Sequence, residues 1–188
     1  MSAALQPFGL RPISNLVGSL PSPRFFQLTS GYGTNLYCGT PVKLNTNGTI
    51  VISGAAEDFL GCFDSVEYQP DINGAVIKDN KWIAGTVGVN IKVFVHCDPS
   101  TMFEIQSTGS IALTAVGDGA DFTNITAGSI VTGTSGATLN PTLVGAGNPA
   151  QFRILGAGQA IGNNFGDTYT VVTGLIGRSQ LTANKNVI

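Results

Sequence analysis

The stretch NIKVFVHC, residues 90–97, decides the fold class of this chain. Successive side chains of a β-strand point to opposite faces of the sheet. Ile91, Val93 and Val95 would therefore share one face, and the residues that alternate with them would share the other: Lys92, Phe94 and His96. This alternation predicts a strand.

The sequence after this stretch repeats the pattern. Asp98-Pro99 interrupts the strand, and MFEIQS, residues 102–107, resumes it with Phe103 and Ile105 on one face. Further along, β-branched and aromatic residues crowd positions 169–176, which favours another strand.

Before residue 90, Asn47-Gly48 gives the clearest β-hairpin signal, because it lies between the strand-like residues 43–44 and 50–52. Short β-rich runs separated by turn residues extend over the rest of the chain, and no long helical period appears. We therefore expect an all-β fold of about ten short strands, arranged as a β-barrel, a sandwich or a jelly-roll (β-tulip-like) domain.

The amino-terminal region differs from the rest because prolines dominate it. Pro7, Pro12, Pro21 and Pro23 hold the backbone extended and oppose a helix. We expect residues 1–23 to form an extended arm docked on another surface, and residues 24–188 to form the β-domain. Within that domain, residues 114–149 are rich in Gly, Ala, Thr and Ser, and we expect short strands or a surface excursion there.

The composition indicates a protein with little chemistry and much contact surface. Of its 188 residues, 11% are charged, against about 25% in ordinary domains, and 25 are glycine. A free monomer usually depends on an interspersed charged surface for solubility, so this composition indicates an assembly component. The net charge is −2, with no basic cluster, and we expect no direct binding of nucleic acid.

We also expect neither a membrane span nor an export signal. No run of about 18 apolar residues occurs, and residues 1–10 lack a basic segment before an apolar core. Cys38, Cys62 and Cys97 show no paired spacing, which predicts reduced thiols and synthesis in a cytosol.

No group of residues predicts catalysis, a metal or a cofactor. His96 and Cys97 are neighbours on a strand and would point to opposite faces, so they would not share a proton or a metal ion. Glu67 would likewise lie on the opposite face from Asp64, which argues against a pair of catalytic carboxylates. We therefore expect a protein that is not an enzyme.

Three further motifs have structural interpretations. The glycines of residues 156–162 suggest a bend or bulge rather than a dinucleotide loop, because no helix start follows them. Residues 71–74 resemble the opening of a calcium loop but lack its later glutamate, so a turn is expected. Trp82 is expected in the core, with an interface anchor as the alternative.

The order of short motifs along the chain resembles that of the small head decoration, or cement, proteins of tailed bacteriophages. The motifs are PFGLRPI (7–13), SGYGTNLYCGTPVKL (30–44), HCDPSTMFEIQ (96–106), GADF (119–122), QFRILG (151–156) and TYTVVTGLI (168–176). The resemblance implies a homotrimer on the outer surface of the virion head, made in the host cytoplasm, which locks neighbouring copies of the major capsid protein together. It also implies capsid contact by the arm residues Pro7, Phe8, Gly9, Leu10, Arg11 and Pro12.

Other classes remain open at this point. A carbohydrate-binding β-sandwich could share the composition, although 8% aromatic residues with one Trp is few for such a module. Another virion component, a fibre or tail protein, is closer in class.

Overall fold

The computed structural model describes residues 4–145 and 147–182, and this part of the chain is all-β. The ends of the expected arm and domain, residues 1–3 and 183–188, lie outside the described residues. The described elements are one short 3-10 helix (Leu113–Ala115) and the strands β1 (Arg11–Asn15), β2 (Arg24–Gln27), β3 (Leu36–Tyr37), β4 (Pro41–Leu44), β5 (Ile50–Ile52), β6 (Gly61–Gln69), β7 (Ile77–Asp79), β8 (Lys81–Trp82), β9 (Val89–His96), β10 (Thr101–Gln106), β11 (Gly119–Thr123), β12 (Thr138–Val144), β13 (Phe152–Ala157) and β14 (Val171–Ile176).

The strands form two large antiparallel sheets and one small one. Sheet one has the order β1-β10-β14-β13-β11-β12, sheet two has the order β2-β9-β6-β4-β5 with β7 beside β6, and β3 pairs with β8. The two large sheets keep separate edge strands, so the expected sandwich or jelly-roll arrangement is confirmed and the closed-barrel alternative is wrong.

A two-stranded ribbon passes from one large sheet into the other. β1 pairs with β10 in sheet one, and β2 pairs with β9 in sheet two. Between them, Leu16 N–H donates to the Ser100 carbonyl at 2.9 Å, which continues the pairing around the corner. Residues 11–27, which we call the ribbon edge, therefore contribute an edge strand to each sheet.

Two apolar cores hold the sheets. The first core takes side chains from sheet one and from six residues outside its strands: Leu10, Phe59, Cys62, Ile111, Ala115 and Ile125. The second core takes Ile91, Val93 and Val95, which confirms the alternation predicted for β9. It also includes Trp82, whose ring is 1% exposed, so the core interpretation of that residue is confirmed.

Polar side chains join the two sheets where β13 approaches residues 53–58. The buried Gln151 amide donates to the carbonyls of Gly54 (2.8 Å) and Glu57 (3.0 Å) and accepts from the Phe122 N–H at 3.0 Å. Nearby, the Phe59 and Phe122 rings meet edge to face with centroids 5.1 Å apart. The sheets are thus fixed to each other by specific contacts as well as by apolar burial.

Two parts of the chain are more integrated than the sequence indicates. Residues 11–15 of the expected arm form β1, and Leu10 is fully buried. Residues 119–123 and 138–144 form β11 and β12, with Phe122 and Leu139 in the first core, so residues 114–149 contain short strands of the sheet rather than a surface excursion alone.

The predicted hairpin at Asn47-Gly48 is confirmed. β4 and β5 pair on either side of it, Gly48 has a φ of 74°, and the Asn45 side-chain oxygen accepts hydrogen bonds from the backbone of Asn47 and Thr49. No helix in the described part of the chain is long and apolar enough to cross a membrane.

Candidate functional site

The predicted capsid-contact residues fall into buried and accessible groups. Gly9 and Leu10 are buried, and the others are half-buried or exposed: Pro7, Phe8, Arg11 and Pro12. Leu10 belongs to the first core, so its side chain anchors the segment to the domain. Only the accessible group can contact another protein, and capsid contact by these residues stays a prediction.

Arg11 is held in place from two sides. Its guanidinium forms an ion pair with Glu104 on the neighbouring strand β10, and it lies 4.4 Å from the centroid of the Phe8 ring. The Phe8 ring packs against the Arg11 guanidinium. These two contacts of Arg11 order the accessible part of the segment.

Two glycines allow residues 8–10 to lie directly against residues 38–40. Gly9 has a φ of 76° and Gly39 a φ of 89°, and Leu10 N–H donates to the Gly39 carbonyl at 2.8 Å. A Cβ on Gly9 would come within 2.7 Å of the Gly39 oxygen, which is closer than real contacts allow. The close approach of these two backbones requires glycine at position 9.

Five large exposed apolar side chains lie on the ribbon edge. They are Ile13, Leu16, Val17, Leu20 and Phe25, and the exposed fractions of Val17 and Leu20 are both 85%. The sequence contains these residues as isolated apolar positions among prolines and glycines, but it does not show which of them reach the core. In the structure Leu10 lies in the first core, whereas these five side chains are exposed.

His96 lies on the face of sheet two opposite the second core. Its Nε2 is 3.5 Å from Asp64 Oδ1, and its side chain is 10% exposed. Cys97, the next residue, belongs to the second core, so the predicted separation of His96 and Cys97 onto opposite faces is confirmed. The contact with His96 is the main cause that lowers the pKa of Asp64, with a second hydrogen bond from the Ser65 hydroxyl at 2.8 Å.

The predicted placement of Asp64 and Glu67 on opposite faces is wrong. A β-bulge at Asp64 shifts the register of β6 against β9, so that Glu67 pairs with Lys92 on the same face as His96. An extra residue in one strand changes which face every later side chain occupies. Glu67 and Lys92 form an ion pair at 3.7 Å.

The segment of residues 8–12 closes a cavity over His96. This His96 cavity has a volume of about 290 Å³ and is lined by Phe8, Leu10 and Pro12 on one side and by Cys38, Phe63 and His96 on the other. Arg11, Asp64 and Asn80 also reach it. Burial raises the pKa of the Cys38 thiol, and it raises that of Cys62 strongly, so both thiols are neutral.

A second concave surface, the polar cleft, lies on sheet two near a second register shift of β6, between Glu67 and Gln69. It measures about 320 Å³ and is lined mainly by polar side chains: Gln27, Glu67, Gln69, Asn90 and Lys92, beside Tyr68. Asn90 has a φ of 53° and its amide donates to the Gln69 side-chain oxygen at 2.6 Å.

The remaining motifs are turns. Asp71 Oδ1 accepts from the Asn73 N–H at 2.9 Å, and the Asp71 carbonyl accepts from Gly74, so the expected turn is confirmed. After β13 the chain turns at residues 158–164, where the Asn163 amide donates to the carbonyls of Gly158 and Val171. No helix follows between residue 165 and residue 182, which agrees with a bend.

Within residues 4–145 and 147–182, no three His, Cys, Asp or Glu side chains are grouped to hold a metal ion. A scan against models of protein families, a search of curated proteins and a search of solved structures each found no match to this chain.

Proposed function

We propose that this protein is a structural component of a virion that decorates the head of a tailed bacteriophage, binding as a homotrimer across the seams between major capsid proteins. The observation that carries the proposal is the ribbon edge. It presents apolar side chains to solvent along the margin of both sheets.

Exposed apolar groups on the ribbon edge support a protein partner. Isolated exposed leucines are normal, but five large apolar side chains within residues 13–25 mark a contact surface. Their burial would contribute about 25 cal/mol per Å² of apolar area.

The backbone of the ribbon edge supports the same proposal. β1 and β2 are edge strands, each with one neighbour in its sheet, so a partner strand could add to either one through backbone hydrogen bonds. Edge strands of free monomers are usually protected by charge, and here the segment between them carries none from residue 12 to residue 23.

A trimer would strengthen weak contacts. Three ribbon edges carried on one particle bind as a multivalent unit, because the first contact raises the effective concentration of the next. A protein that holds capsid seams together in this way needs no catalytic group.

Binding to phage heads lacking this protein tests the proposal. The variant Leu16→Ser/Leu20→Ser should fold as the wild type does, because both side chains are exposed, and it should no longer co-sediment with the heads. The matched control is Leu113→Ser on the 3-10 helix, an exposed leucine away from the ribbon edge, which should bind normally. Undiminished binding of the double variant would contradict the role of this surface.

A truncation of residues 1–12 is a poor test, because it removes Leu10 from the first core. Point variants on the surface separate contact from stability.

A carbohydrate-binding module is the second candidate function, favoured by the polar cleft. Its amide and carboxylate groups are the partners that sugar hydroxyls use. Tyr68, however, packs edge to face against Trp82 with ring centroids 5.5 Å apart, so its ring packs against the second core rather than facing a ligand. A glycan array distinguishes the two candidates: binding that Asn90→Ala abolishes would favour the carbohydrate function.

A further inference from the structure

The outer face of sheet two, which is turned away from the second core, carries an aromatic pair next to a polar pair. On β9 the core residues alternate with Lys92 and Phe94, which therefore lie on the outer face. On β2 Phe26 packs against the second core, so Phe25 and Gln27 lie on the outer face as well. In the ladder Phe25 pairs with Phe94, and Gln27 pairs with Lys92.

The polar pair lines the polar cleft together with Glu67 of β6. The charged groups of Glu67 and Lys92 are 3.7 Å apart, which is longer than a hydrogen bond. A hydroxyl group both donates and accepts, so one hydroxyl placed between them would donate to the carboxylate and accept from the ammonium. Because the two charges cancel, the cleft favours a neutral hydroxylated ligand over an anion or a cation.

Two amide side chains of the cleft also have free hydrogen-bonding groups. Within the described residues the Gln27 side-chain amide has no partner, and the Asn90 side-chain oxygen accepts no hydrogen bond. The nitrogen of the Asn90 amide donates to Gln69, which fixes the position of that free oxygen. An amide offers a donor and an acceptor side by side, and adjacent hydroxyls of a sugar ring can use both.

The backbone of Asn90 is a separate indication of a site. Its φ of 53° lies in the left-handed region, which residues other than glycine seldom adopt. It lies at the register shift between β6 and β9 that follows Glu67. Such conformations are concentrated at ligand-binding sites, where they place a side chain that the regular strand would direct elsewhere.

Phe25 supplies an apolar surface beside these polar groups. Its side chain is 62% exposed, and it lies two residues from Gln27 on the same face, about 7 Å along the strand. The neighbouring Phe94 ring is covered by Lys78, whose Nζ is 5.3 Å from the ring centroid, so Phe25 is the ring of this pair that is open to a ligand. The cleft volume of about 320 Å³ falls within the range of about 300–1,000 Å³ that small-molecule sites occupy.

We propose that the polar cleft binds the pyranose ring of a neutral saccharide, with its hydroxyls hydrogen-bonded to Glu67, Lys92 and Gln27 and its apolar face toward Phe25. This inference goes beyond the proposed capsid role and does not depend on it. It gives the carbohydrate candidate named above a ligand class and a set of contacts.

An NMR titration of the wild-type protein tests the site directly. The probes are the methyl glycosides of glucose, galactose, mannose and N-acetylglucosamine, and at least one should bind with a Kd of about 1 mM or tighter. The side-chain amide resonances of Gln27 and Asn90 should shift on binding. The amide of Gln159, which is exposed and outside the cleft, should not shift.

Charged sugars test the ligand class. Glucuronic acid and glucosamine should bind no more tightly than the best glycoside, because Glu67 and Lys92 balance one another.

Three variants test the contacts. Gln27→Ala removes an exposed side chain without a partner, so it should keep the fold and bind the glycoside about tenfold more weakly. Glu67→Gln keeps the shape but removes the charge of an acceptor, and Phe25→Ala removes the apolar surface, so both should also weaken binding. The matched control Gln159→Ala should bind as the wild type does.

The proposal is overturned if none of the four glycosides shifts the Gln27 and Asn90 resonances, if either charged sugar binds more tightly, or if Gln27→Ala binds with unchanged affinity. None of these results bears on capsid contact, which the Leu16→Ser/Leu20→Ser variant tests separately.

Discussion

At the scale of single residues, glycine at position 9 decides how the amino-terminal segment meets the domain. Its positive φ and its contact with Gly39 place Leu10 in the first core and Phe8 over the cavity. One residue without a side chain therefore sets the position of residues 8–10.

We predict that Gly9→Ala destabilises the protein by about 2 kcal/mol more than Gly18→Ala, measured by urea denaturation. Both glycines have a positive φ, 76° and 81°, so both substitutions strain the backbone to a similar extent. A Cβ at position 9 also meets the Gly39 oxygen and the Ser135 Cβ at 2.7 Å, whereas a Cβ at position 18 has nothing within 4 Å. Equal losses for the two variants would contradict this account of the contact.

The residues of the candidate site show what sequence reasoning can reach. The separation of His96 from Cys97 follows from alternation alone and is confirmed. The position of Asp64 beside His96 does not follow, because the bulge in β6 is a property of its pairing with β9 and leaves no local signal in the sequence.

At the scale of elements, the strands that local signals define could be predicted and those that depend on distant pairing could not. The Asn47-Gly48 hairpin and the alternation of β9 are local. β1 contains Pro12 and pairs with residues about 90 positions away, so its prolines indicated an arm. An edge strand tolerates proline because one side of it needs no ladder hydrogen bonds.

The contact between β13 and residues 53–58 leads to a prediction about Gln151. The substitution Gln151→Met keeps the size of the side chain but leaves the buried Phe122 N–H without an acceptor. We expect a loss of about 2 kcal/mol in the free energy of unfolding. The control Gln159→Met, at an exposed position, should change it by less than about 0.5 kcal/mol, and a similar loss in both would show that Gln151 does not join the sheets.

At the scale of the whole molecule, sparse charge and exposed apolar groups determine how the protein should associate. The ribbon edge carries no charged residue from position 12 to position 23, so it can form few ion pairs with a partner that binds there. Association through this surface is therefore expected to depend on apolar burial.

We predict that the proposed homotrimer and its proposed binding to heads persist at about 1 M NaCl, where charges are screened over about 3 Å. Sedimentation velocity over a series of salt concentrations measures this directly. Dissociation as salt rises would show that charged groups hold the assembly, and a monomer at every salt concentration would contradict the trimer.

The two-stranded ribbon also affects how the chain is made. β2 leaves the ribosome about 65 residues before its partner strand β9, and β1 leaves it about 90 residues before β10, a delay of several seconds at about 5–20 residues per second. During that interval the nascent chain exposes both future edge strands without their partner strands. On a polysome many copies are translated side by side, so these strands can pair with the partner strands of a neighbouring chain. Slow translation before residue 92 would therefore favour strand-exchanged dimers over the native subunit.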